Sequence, residues 1–260
     1  MQFMLPLSVL IGCCAVSGAE IGRGHRDLKI LQKTDSVGAE RLFKAIQEED
    51  LKSIKSVVGT SSKEILEAAL GDHNLIRPLH MAVIIGNQDI VEVLIQAGAD
   101  PNSENSNGAT PVHMASQLAE VEILLQLIKA GGDVNARTAT SEETPLHIAA
   151  VHDTPAIIQI LLEAGAEIDG LDAQGETPLH EAAAYGAELS VALLLEYGAD
   201  AGKRDIKSRL PGDFVCFCLT YVDDPALLQC GEKQCSVNDI EVLEDLLEEV
   251  TSFAPEPESD

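Results

Sequence analysis

Tryptophan is absent from the sequence, and aromatic residues make up only 3% of its 260 positions. Hydrophobic residues nevertheless account for 45%, so the apolar content is mainly alanine, leucine, isoleucine and valine. This composition favours closely packed helices over sandwiches and barrels, which are rich in aromatic and β-branched side chains. We therefore expect a helical fold with a continuous core.

Basic residues are also scarce. The chain has 17 lysines and arginines against 43 acidic residues, and its formal net charge is −26. Such a surface repels nucleic-acid phosphates and anionic lipid head groups, whose binding depends on Lys and Arg. The same field would attract basic partners. The sequence thus predicts no nucleic-acid binding, and leaves open whether the acidity steers a partner or only keeps the chain soluble.

Motifs for catalysis are missing as well. The sequence contains no nucleophile elbow, no Walker-type phosphate loop and no H-E-x-x-H. Acidic pairs such as Glu142-Glu143 occur, but solvated faces explain them in so acidic a chain. We expect a protein that is not an enzyme and that needs neither a cofactor nor a metal.

Charged side chains are absent from the first nineteen residues. A mostly apolar run from Phe3 to Val16 is followed by small residues up to Ala19, which resembles a secretory signal with cleavage after Ala19. The run is too short for a membrane span, which needs about 20 apolar residues. We expect a secreted or periplasmic protein. The alternatives are a lipoprotein signal that lipidates Cys13, and an uncleaved N-terminus on a cytoplasmic protein.

Cysteines fall into two groups. Cys13 and Cys14 would leave with the signal, whereas the other four lie within twenty residues near the C-terminus. Their C-x-C and C-x₄-C spacings lack the C-x₂-C pairs that are typical of zinc sites. If the chain is exported, they are candidates for disulfides. These candidates are Cys216, Cys218, Cys230 and Cys235.

Two markers recur with a common period. One is Pro-Leu-His or Pro-Val-His and the other is Gly-x-Asp or Gly-x-Glu, and both are spaced by 33, 34 and 33 residues. A fixed period of this length predicts a stack of repeated units. The first marker begins at Pro78, Pro111, Pro145 and Pro178, and the second at Gly98, Gly131, Gly165 and Gly198.

One copy shows what the markers do. Thr177 can cap a helix N-terminus with its hydroxyl, and Pro178 suits the first helical position. Gly186 can end this helix in the left-handed conformation. A second helix is predicted over Leu189 to Tyr197, and Gly198 ends it in the same way. Each copy is therefore expected to contain a pair of helices.

The pattern is similar to the ankyrin repeat, whose consensus contains G-x-T-P-L-H-x-A-A, a glycine, then L-L-L-x-x-G-A-D. The resemblance implies an all-α solenoid of stacked helix-turn-helix units with β-turn hairpin loops and a concave face. It also implies that His80, His113, His147 and His180 are structural, with hydrogen bonds within and between hairpins. Rings about 10 Å apart, the spacing of packed helices, could not share one zinc ion.

Some copies depart from the consensus. Arg77 replaces the capping threonine, and Ala119 and Asp153 replace the helix-ending glycine. The third copy has an extra residue before Thr144 and carries Glu142 where the turn glycine is expected. We expect its hairpin to be looser than the others.

The spacing of the repeats also predicts how the chain is divided into segments. Terminal units are expected to be irregular because one face of each meets water. The predicted order is a signal peptide (1–19), a linker (20–38), an ankyrin domain (39–253) and an acidic disordered tail (254–260). Within the domain we expect a degenerate capping unit (39–72), full repeats (73–105, 106–138, 139–171 and 172–204) and a degenerate C-terminal capping unit (205–253).

The resemblance further implies that a partner meets the hairpin tips and the last residues of the first helices. An apolar stripe with an acidic rim at these positions resembles a binding site. We expect a monomer that binds a protein with a basic or mixed apolar-basic surface; the alternatives are an intracellular adaptor and a scaffold for an enzyme or envelope complex. A longer first unit could instead cover the two isoleucines. The predicted contact residues are Ile84, Ile85, Leu118, Val151, His152, Tyr185, Glu143 and Glu176.

Overall fold

The computed structural model describes residues 36–60, 63–68 and 75–214. The predicted signal, Cys13, the four C-terminal cysteines, the rest of the C-terminal capping unit and the acidic tail lie outside these residues. Among the described residues, none of the helices has the length and apolar character needed to cross a membrane.

The described part of the chain is built from ten α-helices and has no β-strand. Short 3-10 helices at Lys63–Ile65 and Pro211–Phe214 flank the regular units. The helices form five consecutive pairs. They are α1 (Ser36–Gln47) with α2 (Leu51–Thr60), α3 (Pro78–Ile85) with α4 (Gln88–Gln96), α5 (Pro111–Gln117) with α6 (Val121–Lys129), α7 (Pro145–Val151) with α8 (Pro155–Glu163), and α9 (Pro178–Ala184) with α10 (Glu188–Glu196).

Each pair stacks on the next. The first helices α1, α3, α5, α7 and α9 form one layer, and the second helices form the other. Helix α1 begins at Ser36, so the last residues of the predicted linker are helical. This first turn packs little, since Val37 is 68% exposed.

Equivalent positions of the repeats supply the core. The residue after the helix-starting proline is at most 1% exposed in every full repeat. Two positions in the second helices are also fully buried in each unit, apart from a serine that replaces isoleucine at one of them. The first set is Leu79, Val112, Leu146 and Leu179; the second is Ile90, Ile123, Ile157 and Ser190; the third is Leu94, Leu127, Leu161 and Leu194.

The first helices begin at the predicted prolines, and the predicted hydroxyl cap is found in the fourth repeat. In the second and third repeats the threonine hydroxyls instead contact the rings of His113 and His147. Thr177 has an extended backbone (φ −96°, ψ 166°) before Pro178, and its hydroxyl accepts a hydrogen bond from the His180 N–H. Gly86 ends α3 with φ 76°. The substituted positions adopt the same left-handed geometry, with φ 56° at Ala119 and 52° at Asp153. The turn is therefore kept in these two copies, although the left-handed conformation is unfavourable for a residue that has a Cβ.

Hairpins between the units are closed by a polar side chain at their first position. The Asp172 carboxylate accepts hydrogen bonds from two backbone N–H groups of its own hairpin, at 2.9 and 2.7 Å. In the third copy, Thr138 replaces this group: its N–H donates to the Glu143 carbonyl and its hydroxyl accepts from the Glu143 N–H, both at 3.0 Å. The extra residue is accommodated with Glu142 at φ 54°. The hairpin that we expected to be looser is thus closed by hydrogen bonds.

Candidate protein-binding surface

The repeat histidines connect each unit to the next. The Thr144 N–H donates to Nδ1 of His147 at 3.2 Å, so the ring proton lies on Nε2, which donates to the Glu176 carbonyl at 3.1 Å. His80, His113 and His180 bridge to the following hairpin in the same way. Burial lowers the pKa of His80, His113 and His147 to about 4. The rings are neutral at pH 7, and both nitrogens of each ring form hydrogen bonds with backbone groups.

One face of the first helices lies beside the hairpins. Residues four apart in a helix share a face, so the residue after each repeat histidine and the residue four positions later point the same way. We call these eight residues, together with the neighbouring Val151, Glu143, Asp172 and Glu176, the inner face. The eight are Met81 with Ile85, Met114 with Leu118, Ile148 with His152, and Glu181 with Tyr185.

The predicted contact residues differ in exposure. Tyr185 is 44% exposed and His152 is exposed. Ile84, Ile85, Leu118 and Val151 are half-buried, as are Glu143 and Glu176. The apolar stripe is therefore less exposed than the sequence predicted, because Leu118 and Val151 are half-buried and not fully open to solvent. That a partner contacts these residues stays a prediction.

Three carboxylates meet at one end of the inner face. Oxygens of Asp172, Glu176 and Glu181 all lie within 4.8 Å of one another. Arg209 pairs with Glu176 at 2.8 Å, but it also pairs with Asp205 and lies over the Phe214 ring. Among the described residues, no hydrogen bond or ion pair joins the Glu181 carboxylate to another group. We call these three carboxylates the acidic corner.

Burial sets the protonation of this corner. Desolvation, followed by the charges of Glu176, Glu143 and Asp172, raises the pKa of Glu181 to about 8. Burial also raises the pKa of Asp172, and burial together with the Asp172 charge raises that of Glu176. At neutral pH Glu181 therefore holds a proton or needs a cation beside it. The corner can accept a lysine or arginine side chain. A calcium ion would take six to eight oxygen ligands, more than these three side chains supply by themselves.

Glu181 was not among the residues predicted from the sequence, although a comparison of the repeats marks its position as unusual. The position after the repeat histidine holds Met81, Met114 and Ile148 in the other units and glutamate only in the fourth. An acidic residue at a half-buried apolar position is unfavourable unless it has a partner. Of the predicted residues, the structure brings Glu143, Glu176 and Tyr185 to Glu181.

The repeats that carry the inner face are strongly acidic. Residues 78–202 contain nineteen acidic side chains and two basic ones, Lys129 and Arg137. Four basic residues follow within 203–209. The stack of full repeats therefore carries a net charge of −17 out of the −26 of the whole chain.

A family model for ankyrin repeats (three copies) matches residues 42–138 and 127–205. The matches cover more than half of the chain, which therefore belongs to the ankyrin-repeat family. The predicted all-α ankyrin solenoid is confirmed. A search of curated proteins gave no match.

Proposed function

We propose that this chain is a recognition protein whose inner face binds a partner protein with an apolar ridge flanked by lysine or arginine. Ankyrin repeats are general protein–protein interaction modules. The observation that carries the finer proposal is the acidic corner, where the half-buried Glu181 has no hydrogen bond or ion pair to its carboxylate from the residues that the structure describes. It lies one helical turn from the exposed Tyr185. A basic side chain from a partner would neutralise this corner while an apolar neighbour packs on the tyrosine.

We also propose that the chain has no catalytic chemistry of its own and works as a monomer without a cofactor. Proteins built from ankyrin repeats are typically interaction modules and not enzymes. The repeat histidines support the proposal because their ring nitrogens hold the hairpins and are not free to transfer protons.

We further propose that the partner is met outside the cytoplasm. The support is the uncharged, apolar stretch up to Ala19. Mass spectrometry of the mature N-terminus would find Glu20 after signal cleavage, or a lipidated Cys13 after lipoprotein processing. An intact Met1 in a cytoplasmic fraction would contradict export and favour the intracellular adaptor.

Binding at the inner face can be tested without knowing the partner. A displayed library of random peptides is selected on the full chain, and peptides with Lys or Arg beside apolar residues are expected. Affinity of the selected peptides is then measured on the double variant Leu118→Lys with Tyr185→Lys. We expect at least a tenfold loss, since the variant places two cations on the site and removes an aromatic anchor.

The matched control is Leu125→Lys with Leu189→Lys. These side chains are 49% and 59% exposed on the second helices, so the charge change is the same on the opposite layer. Affinity should stay within about twofold of the parent, because rim charges away from the contact mainly alter association rates. Equal losses in the two variants, or no loss in the first, would refute the inner-face site.

A further inference from the structure

One stretch of the chain itself has the chemistry that we propose for the partner. Residues 21–33 carry four cations and a single acidic residue, Asp27. Leu28, Ile30 and Leu31 lie among them. The basic and apolar character of this segment complements the acidic repeats and the half-buried apolar residues of the inner face. The four cations are Arg23, Arg26, Lys29 and Lys33.

The length of the chain before α1 matches the length of the inner face. Ser36 follows Arg23 by thirteen positions along the chain, and a fully extended chain of that length spans about 40 Å. The first helices α1 and α9 are four stacking steps apart, which also makes about 40 Å at 10 Å a step. Arg23 can therefore reach the acidic corner, and residues 28–31 can reach the middle repeats.

We infer that residues 21–33 bind to the inner face of their own chain, with Arg23 at the acidic corner and Leu28 and Ile30, which share one side of an extended chain, on Leu118 and Val151. The inference rests on the proposed function for the choice of surface. It adds that the chain carries its own competitor, which a partner must displace. Residues 21–33 remain part of the chain whether or not a signal is removed after Ala19.

A second copy of the chain offers a competing occupant. Its hairpin at residues 203–209 carries Lys203, Arg204 and Lys207 around Ile206, which is 71% exposed. The tethered segment has the advantage of a short connection, because an intramolecular ligand has an effective concentration in the millimolar range. The intramolecular arrangement is therefore favoured in dilute solution.

Zero-length carbodiimide coupling tests the contact in the full chain. Arg23→Lys keeps the charge and supplies an amine that can be joined to a carboxylate. We expect this amine to couple mainly to Asp172, Glu176 or Glu181. Coupling should fall at least fivefold in 1 M salt, where the Debye length is about 3 Å.

Acidic residues on the second helices provide the control. Glu122, Glu163 and Glu196 are exposed there and should couple at least five times less. Equal coupling to both layers, or coupling confined to α1 and α2, would overturn the inference. A mixture of ¹⁵N-labelled and unlabelled chains separates the two occupants: cross-links with both labels would show a second copy on the surface and would also overturn it.

A competition measurement distinguishes this inference from the proposed function. Replacing Arg23, Arg26, Lys29 and Lys33 with glutamine should tighten the binding of a selected peptide about fivefold, because apparent affinity scales with the open fraction of the site. Unchanged affinity would overturn the inference while leaving the inner-face site intact. If no peptide binds any variant, the proposed function fails, whatever the cross-links show.

Discussion

Glu181 is the residue whose environment departs most from its sequence position. It occupies the place of Met81 and Met114, yet it lies beside two other carboxylates. The register of the repeats locates it, but sequence alone gives no measure of its pKa. That depends on burial by the following hairpin and on how closely Asp172 and Glu176 approach. The position of the Glu181 carboxyl group in the repeat can thus be located from the sequence, whereas its raised pKa cannot.

The first prediction is that Glu181→Met stabilises the free protein in a pH-dependent way. The parent, here and in the third prediction, carries glutamine in place of Arg23, Arg26, Lys29 and Lys33, so that none of these cations can lie at the acidic corner. A folded pKa of about 8 exceeds the ordinary value, so the folded state binds the proton more tightly than the unfolded state. The contribution of Glu181 to the stability of the parent therefore falls as pH rises from about 4.5 to 8. The variant avoids this loss, and we expect a gain on the order of 2 to 4 kcal/mol at pH 8 and little at pH 4.5.

Urea unfolding of the parent and variant across this pH range measures the effect. Glu122→Met, at an exposed position of α6, is the control and should change stability by less than about 0.5 kcal/mol at every pH. A Glu181→Met variant that is no more stable at pH 8 than at pH 4.5, relative to the parent, would disprove the buried-carboxylate interpretation.

Ala119 is a departure from the repeat consensus that could be recognised from the sequence. It stands where a glycine ends the first helix, and the structure holds it at φ 56°. The left-handed conformation is strained for alanine but not for glycine. Because the Ala119 side chain is exposed, its removal loses little packing.

The second prediction is that Ala119→Gly stabilises the fold by about 0.5 to 1 kcal/mol. The control is Ala164→Gly, since Ala164 is also exposed but has φ −83°, and here glycine should destabilise by a similar amount. Thermal unfolding of the three proteins gives the comparison. Changes of the same sign in both variants would contradict the strain at Ala119.

At the scale of elements, the units are joined by the histidine bridges. Helix starts could be predicted from Thr-Pro pairs and helix ends from the periodic glycines, because these residues act through local backbone geometry. The closure of the third hairpin could not, since it depends on the Thr138 hydroxyl meeting the Glu143 N–H across an extra residue. Local rules thus fix the helices, and side-chain hydrogen bonds complete the hairpins.

The third prediction concerns these bridges in acid. His80, His113 and His147 have folded pKa values of about 4, below the ordinary value of about 6.5. At these histidines the unfolded chain therefore binds more protons between pH 4 and 6.5. Their contribution to stability is complete above pH 6.5 and is lost as pH falls through this window. Unfolding at pH 5.5 should take up about three protons at these rings.

The pH dependence of the free energy of unfolding measures this uptake. Glu181 releases about one proton on unfolding at the same pH, so the net uptake should be larger in Glu181→Met than in the parent. Stability that stays constant between pH 6.5 and 5 in both proteins would mean that the histidines are not held neutral by burial.

At the scale of the whole molecule, the main feature of this solenoid is its large negative charge. The sequence predicts an acidic surface from composition alone. Only the stacked structure shows that the carboxylates of Glu176 and Glu181 converge next to Tyr185 on one layer. The exposure of Leu118 and Val151 also could not be predicted, because it depends on how closely successive units pack.

The fourth prediction is that binding of a basic peptide to the inner face is sensitive to salt. Screening shortens the reach of the field on the repeats from about 10 Å at 0.1 M to about 3 Å at 1 M ionic strength. We expect affinity to weaken at least tenfold over that range, mostly through slower association. Surface plasmon resonance at several salt concentrations measures both rates, and an association rate independent of salt would contradict electrostatic steering.

The most direct test of the central claim is a map of the surface that a bound ligand covers. Backbone amide shifts of the ¹⁵N-labelled chain would be followed during titration with a selected apolar-basic peptide. We predict that the largest shifts fall on the first helices α5, α7 and α9 and on the hairpins that carry Glu143 and Glu176. Shifts concentrated on the second helices α6, α8 and α10 would show that the partner is bound by the other layer of the stack, and the inner face would not be the recognition surface.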